Sequence, residues 1–376
     1  MADALVTPSV LSWARERIGY STQVASQKLN IKEGDLISWE RGTSRPSFSI
    51  AKKMAKEYNQ PLASFYLPHP PEQRYLVEDF RSLDVYQRKN SPELSILLEN
   101  LNFRQSWLRE YLFESGEEKR EFIGSATIHD SIDELAAIIR LQLHISFEEQ
   151  AKQSDERKAW NYWVLKAEQQ GIYISKGGKI DSDEARGIAL SDNYAPFIYV
   201  NSKDSYGSRQ FTLAHELVHL WLDRSGISNL NPSHNQIEVF CNNVASRVLI
   251  PEKILMKLWN EASAINGAIE KIELIAKRSH LSNEHIARRI HSKNLISETE
   301  YNEIRKKYHK LWKERKMGGG DYYRNKLHEN GVRYTYHTLE AYNSGKITLL
   351  EAGNLLNVKT NQIKQIFSKL GAMRKE

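Results

Sequence analysis

Apolar residues recur at helical spacing along most of this chain, and only between residues 171 and 201 does the spacing shorten to that of strands. Residues 8–67 predict a bundle of short helices. A first helix covers 12–18; a second, capped by Ser21 or Thr22, covers 22–29 with Val24, Ala25 and Leu29 inward. Asn30 makes a turn and Ile31 plugs the core. A third helix covers 32–40, burying Leu36 and Trp39, and a fourth covers 48–58 after Pro46-Ser47. His69-Pro70-Pro71 marks a linker. Helical patterns follow at 91–117, 132–143 and 146–170. Short strands are expected at 172–175, 187–190 and 196–201, with turns at Gly177-Gly178 and Asp192-Asn193. Helices return at 208–224 and 237–250, the second closed by Pro251. Residues 263–312 are helical and rich in paired charges, with Ser282-Asn283-Glu284 capping a helix that ends near His291. After Gly318-Gly319-Gly320-Asp321, an aromatic and basic stretch leads to a helix pair at 348–356 and 360–370, with Asn357-Val358 between them. The pattern predicts a mainly α protein with one small β-sheet, an α+β class.

The helix at 208–224 carries His215-Glu216-Leu217-Val218-His219, an H-E-x-x-H motif. Residues four apart on a helix lie one turn above each other, so both imidazoles can face one ion. Three polar groups on so apolar a helix are costly unless something binds them. Zinc needs further ligands, and Glu238, on the first turn of the next helix, is the candidate carboxylate. Glu216 is placed to act as general base on a metal-bound water. Asn242, one turn on from Glu238, is a candidate to orient a ligand. The plainer reading of Glu238 is a carboxylate favoured by a helix N-terminus. Cys241 sits on the apolar stripe and reads as structural, as do Arg209 and Arg247; His234 has no assigned role. Zn2+ is the expected ion, with Mn2+ the other that such a nitrogen and oxygen set takes.

The 376 residues suffice for two or three domains, and 27% of them are charged. With one cysteine, Cys241, and no signal or membrane-length apolar run, a cytoplasmic setting and no membrane partner are expected. The net charge of +6 is uneven: from Tyr301 onward 16 Lys and Arg face 7 Asp and Glu. A basic tail suits nucleic acid or a solvated surface.

Thr22-Gln23, Ala25, Leu29, Leu36, Trp39-Glu40, Gly42, Pro46 and Ala55 make the first sixty-odd residues resemble a helix-turn-helix domain of the lambda-repressor or Xre type. Gln23, Lys28, Ser38, Arg41 and Arg45 are its candidate DNA contacts, but Glu33, Gly34 and Asp35 open its recognition helix, and carboxylates repel phosphate. A protein-binding module on the same scaffold is the alternative. Lys359, Thr360, Asn361, Gln362, Lys364 and Gln365 of the C-terminal helix pair suit DNA better; an ordinary packing unit is the competing view.

A small sheet leading into the H-E-x-x-H helix resembles the zincin layout. There an edge strand pairs with substrate backbone, and Gly187–Leu190 is the expected segment. GIYIS, RGIALSDNYAPFIYVNSKDSYGSRQFTLAHELVHLWL, IEVFCNNVASRVLIP and GGGDYYRNKL resemble an ImmA/IrrE-type metallopeptidase. That resemblance implies zinc held by His215, His219 and Glu238, with Glu216 catalytic. It implies cleavage of a cytoplasmic regulatory protein, such as a helix-turn-helix repressor or an antitoxin, in bacterial stress, prophage or defence control. Domains are expected at 1–70 (Xre-type), 71–160 (helical connector), 161–260 (zincin-like core), 261–317 (helical extension) and 318–376 (basic helix-turn-helix-like region). Two other functions fit the same residues: a DNA-binding transcription regulator whose metal domain senses a signal or is structural, and the toxin half of a toxin–antitoxin pair.

Overall fold

The computed structural model of the chain describes residues 3–71, 78–79, 91–228, 236–313 and 321–373. They fall into two compact units, Met1–Leu76 with Asp84–Asn102, and Val77–Leu83 with Phe103–Glu376. The architecture is mainly helical with a small mixed sheet, the α+β class expected from the pattern.

In the first unit α1 (Pro8–Arg17), α2 (Thr22–Leu29), α3 (Glu33–Glu40) and α4 (Phe48–Glu57) pack around Leu11, Ile18, Leu29, Leu36, Tyr58 and Phe65, all fully buried. Local chemistry sets the boundaries. Thr7 is extended and Pro8 takes the first helical position, so α1 starts four residues before its predicted place. Ser21 and Ser47 cap α2 and α4 through their hydroxyls, and Asn30 ends α2 in the left-handed conformation. Arg15 closes the bundle with a fork of two 2.7 Å bonds to both oxygens of Glu40. The long helix α5 (Pro92–Glu114) begins in this unit.

The second unit continues with α6 (Ile132–Gln142), α7 (Phe147–Ala151) and α8 (Glu156–Gln169). One helix was expected over 146–170, but the chain breaks before Asp155. The Asp155 carboxylate accepts from the Lys158 backbone 2.8 Å away and starts a fresh helix there. The sheet holds β1 (Glu78–Asp79), β2 (Tyr173–Gly177), β3 (Gly187–Leu190), β4 (Phe197–Asn201) and β5 (Gly226–Ser228) in the order β1-β5-β3-β4-β2. β2 runs parallel to β4, while β3 is antiparallel to both β4 and β5. Gly187–Leu190 is therefore not an edge strand, a correction to the expectation. β5 fills that edge, with Gly187 opposite Ser228. Gly226 begins β5.

Beneath the sheet lie α9 (Tyr206–Trp221) and α10 (Gln236–Leu249), packed along each other. Trp160, Trp163 and Trp221 are fully buried in the surrounding core, and Phe122 stacks on Trp221 at 4.5 Å. The last carbonyls of α10 are bonded from two sides. Arg140 reaches Val248 at 2.6 Å, and Arg289 reaches Ser246 at 2.6 Å and Ile250 at 3.0 Å. Arg289 belongs to α13 (Asn283–His291), which follows α11 (Glu252–Glu261) and α12 (Ala268–Ser279) and precedes α14 (Glu298–Lys313). The chain ends in α15 (Tyr322–Asn330), α16 (Val332–Asn343), α17 (Leu349–Leu356) and α18 (Ile363–Met373). These join the core where the Ser175 hydroxyl donates to the Glu329 carbonyl and Arg333 donates to the Glu168 carbonyl. Among the described residues no helix is long and apolar enough to cross a membrane.

Candidate metal centre

Ser205 caps α9, its hydroxyl accepting from the Ser208 backbone at 3.2 Å. Arg209 holds the approach, its Nε donating to the Asp204 carbonyl at 2.8 Å, which is a structural task. The apolar face of α9 then buries Leu213, Ala214, Leu217, Val218 and Leu220 completely. That packing carries His215, Glu216 and His219 inside with it, each at 0% exposure.

Glu238 comes in from the first turn of α10, 2% exposed. Its carboxylate lies 3.2 Å from His215 Nε2 and 3.1 Å from His219 Nε2, and the two Nε2 atoms are 3.1 Å apart. Zinc at about 2.0–2.1 Å from each nitrogen, in tetrahedral geometry, sets ligand atoms about 3.3 Å apart. The observed triangle fits that spacing. His215 Nδ1 lies 3.1 Å from Asn242 Oδ1; donating its proton there leaves the Nε2 lone pair facing the Glu238 carboxylate. Acceptor atoms converging in a dry interior repel one another unless something positive sits between them. The three residues thus form a buried cluster that can hold a metal ion.

The two carboxylates differ sharply. Burial pushes Glu238 up, but the neighbouring His215 and His219 rings hold it down at about 2. Glu216 is raised well above the usual range, first by burial and then by the charge of Glu238, with the Ser228 hydroxyl pulling the other way. Neither Glu216 oxygen has a hydrogen-bond partner of normal geometry. Glu216 packs under β3 so closely that a Cβ on Gly187 would stand 2.1 Å from its Oε1.

Two neighbours were invisible in the sequence. Ser228 Oγ, at the end of β5, lies 3.5 Å from His219 Nε2. Gly187 owes its place to the Glu216 carboxylate, a contact that no motif signals. Cys241 Sγ faces the other side of the His219 ring, 3.9 Å from Nδ1, and burial lifts its thiol well above the usual value. It is outside the ligand triangle. Arg247 lies 3.4 Å from Asp133 and donates to the Asn243 carbonyl one turn back on its own helix at 3.4 Å. His234 and Gly318–Gly320 lie outside the described residues.

The remaining expected contacts lie on helices apart from this centre. Gln23 is exposed on α2, and Lys28 lies over the Tyr20 ring. The Ser38 hydroxyl is spent on the Gly34 carbonyl at 2.8 Å, and Arg41 is exposed beyond α3. Lys359, Asn361 and Lys364 are exposed around the start of α18, and Gln362 Oε1 accepts from the Lys359 backbone at 3.1 Å.

Two histidines one helical turn apart, a glutamate from the next helix and a second glutamate beneath a small mixed sheet define the metallopeptidase class of site. A family model, Peptidase_M78 (IrrE N-terminal-like domain), matches residues 167–291. That stretch runs from the end of α8 through the four main strands, α9 and α10 to the end of α13, and the match supports a metallopeptidase of the ImmA/IrrE type. No curated protein matches the chain.

Proposed function

We propose that this chain is a zinc-dependent, site-specific endopeptidase acting on a cytoplasmic regulatory protein such as a helix-turn-helix repressor. The observation that carries the reading is the convergence of His215, His219 and Glu238 within 3.1–3.2 Å, with the unpartnered Glu216 carboxylate beside them. Two imidazole nitrogens and one carboxylate are a catalytic zinc donor set. These three residues would hold the ion, which when bound supplies Lewis acidity and lowers the pKa of water.

The chain's own groups supply the rest. Glu216, whose carboxylate lies beside the three ligands, takes the proton of the attacking water. It then delivers the proton to the leaving amine. Asn242 fixes the tautomer of His215. β3 lies over Glu216 and is paired on both edges, so it offers no free edge to substrate backbone. The substrate class rests on the resemblance seen in the sequence.

The test compares cells expressing the wild type with cells expressing Glu216→Gln. New protein N-termini should appear only with the wild type, while both purified proteins carry about one zinc per chain. Equal cleavage by the two proteins would refute the assignment of Glu216. Manganese in place of zinc by elemental analysis would correct the metal alone.

A further inference from the structure

We infer that α17 and α18 form a DNA-binding helix-turn-helix that docks on duplex DNA, a function separate from the metal centre. The geometry of α2 and α3 recurs in this pair. Ser21 caps α2 and Thr348 caps α17, and each helix runs eight residues to a buried leucine, Leu29 or Leu356. Each then ends on an asparagine in the left-handed conformation, Asn30 at φ 54° and ψ 54°, Asn357 at φ 51° and ψ 50°. A half-buried plug follows, Ile31 or Val358, and then an extended lysine, Lys32 or Lys359. Leu36 and Ile363 are buried at matching places beyond the turn. The turn brings backbone close to the first helix: a Cβ on Gly353 would stand 3.0 Å from the Val358 carbonyl oxygen.

The two helix pairs part company in charge. Exposed Glu33 and Asp35 open α3. After the α17–α18 turn the exposed polar residues include Lys359, Thr360, Asn361, Lys364, Gln365 and Ser368, with Lys369 paired to Asp321 at 2.9 Å. Between Lys346 and Met373 the sequence has one carboxylate, Glu351. It is turned onto its own helix end, accepting from the Thr348 backbone at 2.6 Å and the Thr348 hydroxyl at 2.8 Å. Phosphate therefore meets lysines here and carboxylates on α3.

The first residues of a recognition helix face base edges in the major groove, and Asn and Gln amides match the adenine edge there. The deep, narrow groove of duplex RNA does not admit such a helix. The pair is also held rigidly: Leu355, Leu356, Ile363, Ile366 and Leu370 are buried, and Asn330 donates to the Leu356 carbonyl at 2.9 Å.

The test uses the full chain and a labelled random-sequence DNA duplex of about 30 base pairs, with anisotropy read across a salt series. Binding should weaken with salt at a log–log slope of about −0.9 per phosphate neutralised. Lys359→Glu with Lys364→Glu should weaken binding at least about tenfold and flatten the slope by about two. Lys359→Gln with Lys364→Gln should act in the same direction and guards against misfolding by charge reversal. Gln23→Ala with Arg41→Ala should change little. No binding at low salt would overturn the inference. So would loss in the Gln23 and Arg41 variant alone, or tighter binding to single-stranded RNA of the same length.

Discussion

Removing the Asn242 amide should weaken metal binding without touching a ligand. In the structure Asn242 Oδ1 lies 3.1 Å from His215 Nδ1, an ordinary hydrogen-bond length. That bond keeps the proton on Nδ1 and the lone pair on Nε2, the atom 3.2 Å from Glu238 Oε2 and 3.1 Å from His219 Nε2. In Asn242→Ala the proton is free to move to Nε2, where it blocks coordination, and the ring loses its rotational stop. Loss of such a partner costs about 10- to 100-fold in metal affinity, equivalent to about 1.4–2.7 kcal/mol. The assay is competition for zinc against a chromogenic chelator, with Asn243→Ala as control because that side chain is exposed one position further along α10. Asn242→Asp, which keeps an acceptor, should retain most of the affinity. Equal affinity for Asn242→Ala and wild type, or an equal loss in the control, would refute the reasoning.

Gly187→Ala should separate metal binding from chemistry. Its new Cβ would stand 2.1 Å from Glu216 Oε1 and 2.7 Å from both Glu216 Cδ and Thr212 Cγ2, so the carboxylate must shift. A displacement of about 1 Å costs about 10²-fold in rate; zinc content should stay near one per chain, and an unchanged cleavage rate would remove Glu216 from its assigned place. Glu168→Gln should change the pH dependence of stability. Burial lifts the Glu168 carboxyl to about 7, against the pull of Lys176, Arg333 and the backbone N–H groups of Arg333 and Val332. Because the folded value lies above the ordinary 4.5, its contribution is full below that pH and is lost as pH rises through about 7. The melting temperature of Glu168→Gln relative to wild type should therefore climb between about pH 5 and pH 7.5; a difference independent of pH would contradict the assignment.

The parts of this molecule that were legible in the sequence are those decided within one turn of chain. Ser21, Asn30, Ser282, Thr348 and Asn357 mark helix ends through bonds to their own neighbours or their own backbone angles, and the helices start or stop at them. The spacing of His215 and His219 likewise says that one helix face carries both. The failure in the sheet was decided by partners distant along the chain. The run at 226–228 is too short to show alternation, so nothing local announced that β5 would take the edge of β3, and the strand expected at the rim became central.

The same division runs through the metal centre. A helix places its own histidines, but the place of Glu238 depends on where α10 crosses α9. Bonds from Arg140 on α6 and Arg289 on α13 to the last carbonyls of α10 bear on that placement. No motif singles out either arginine in the sequence, yet they are 7% and 3% exposed. A buried guanidinium left without acceptors is strongly unfavourable, so each arginine favours the one placement of α10 in which its carbonyls are within reach. The donor triangle is thus supported from the far end of its helix, by residues that no metal motif contains.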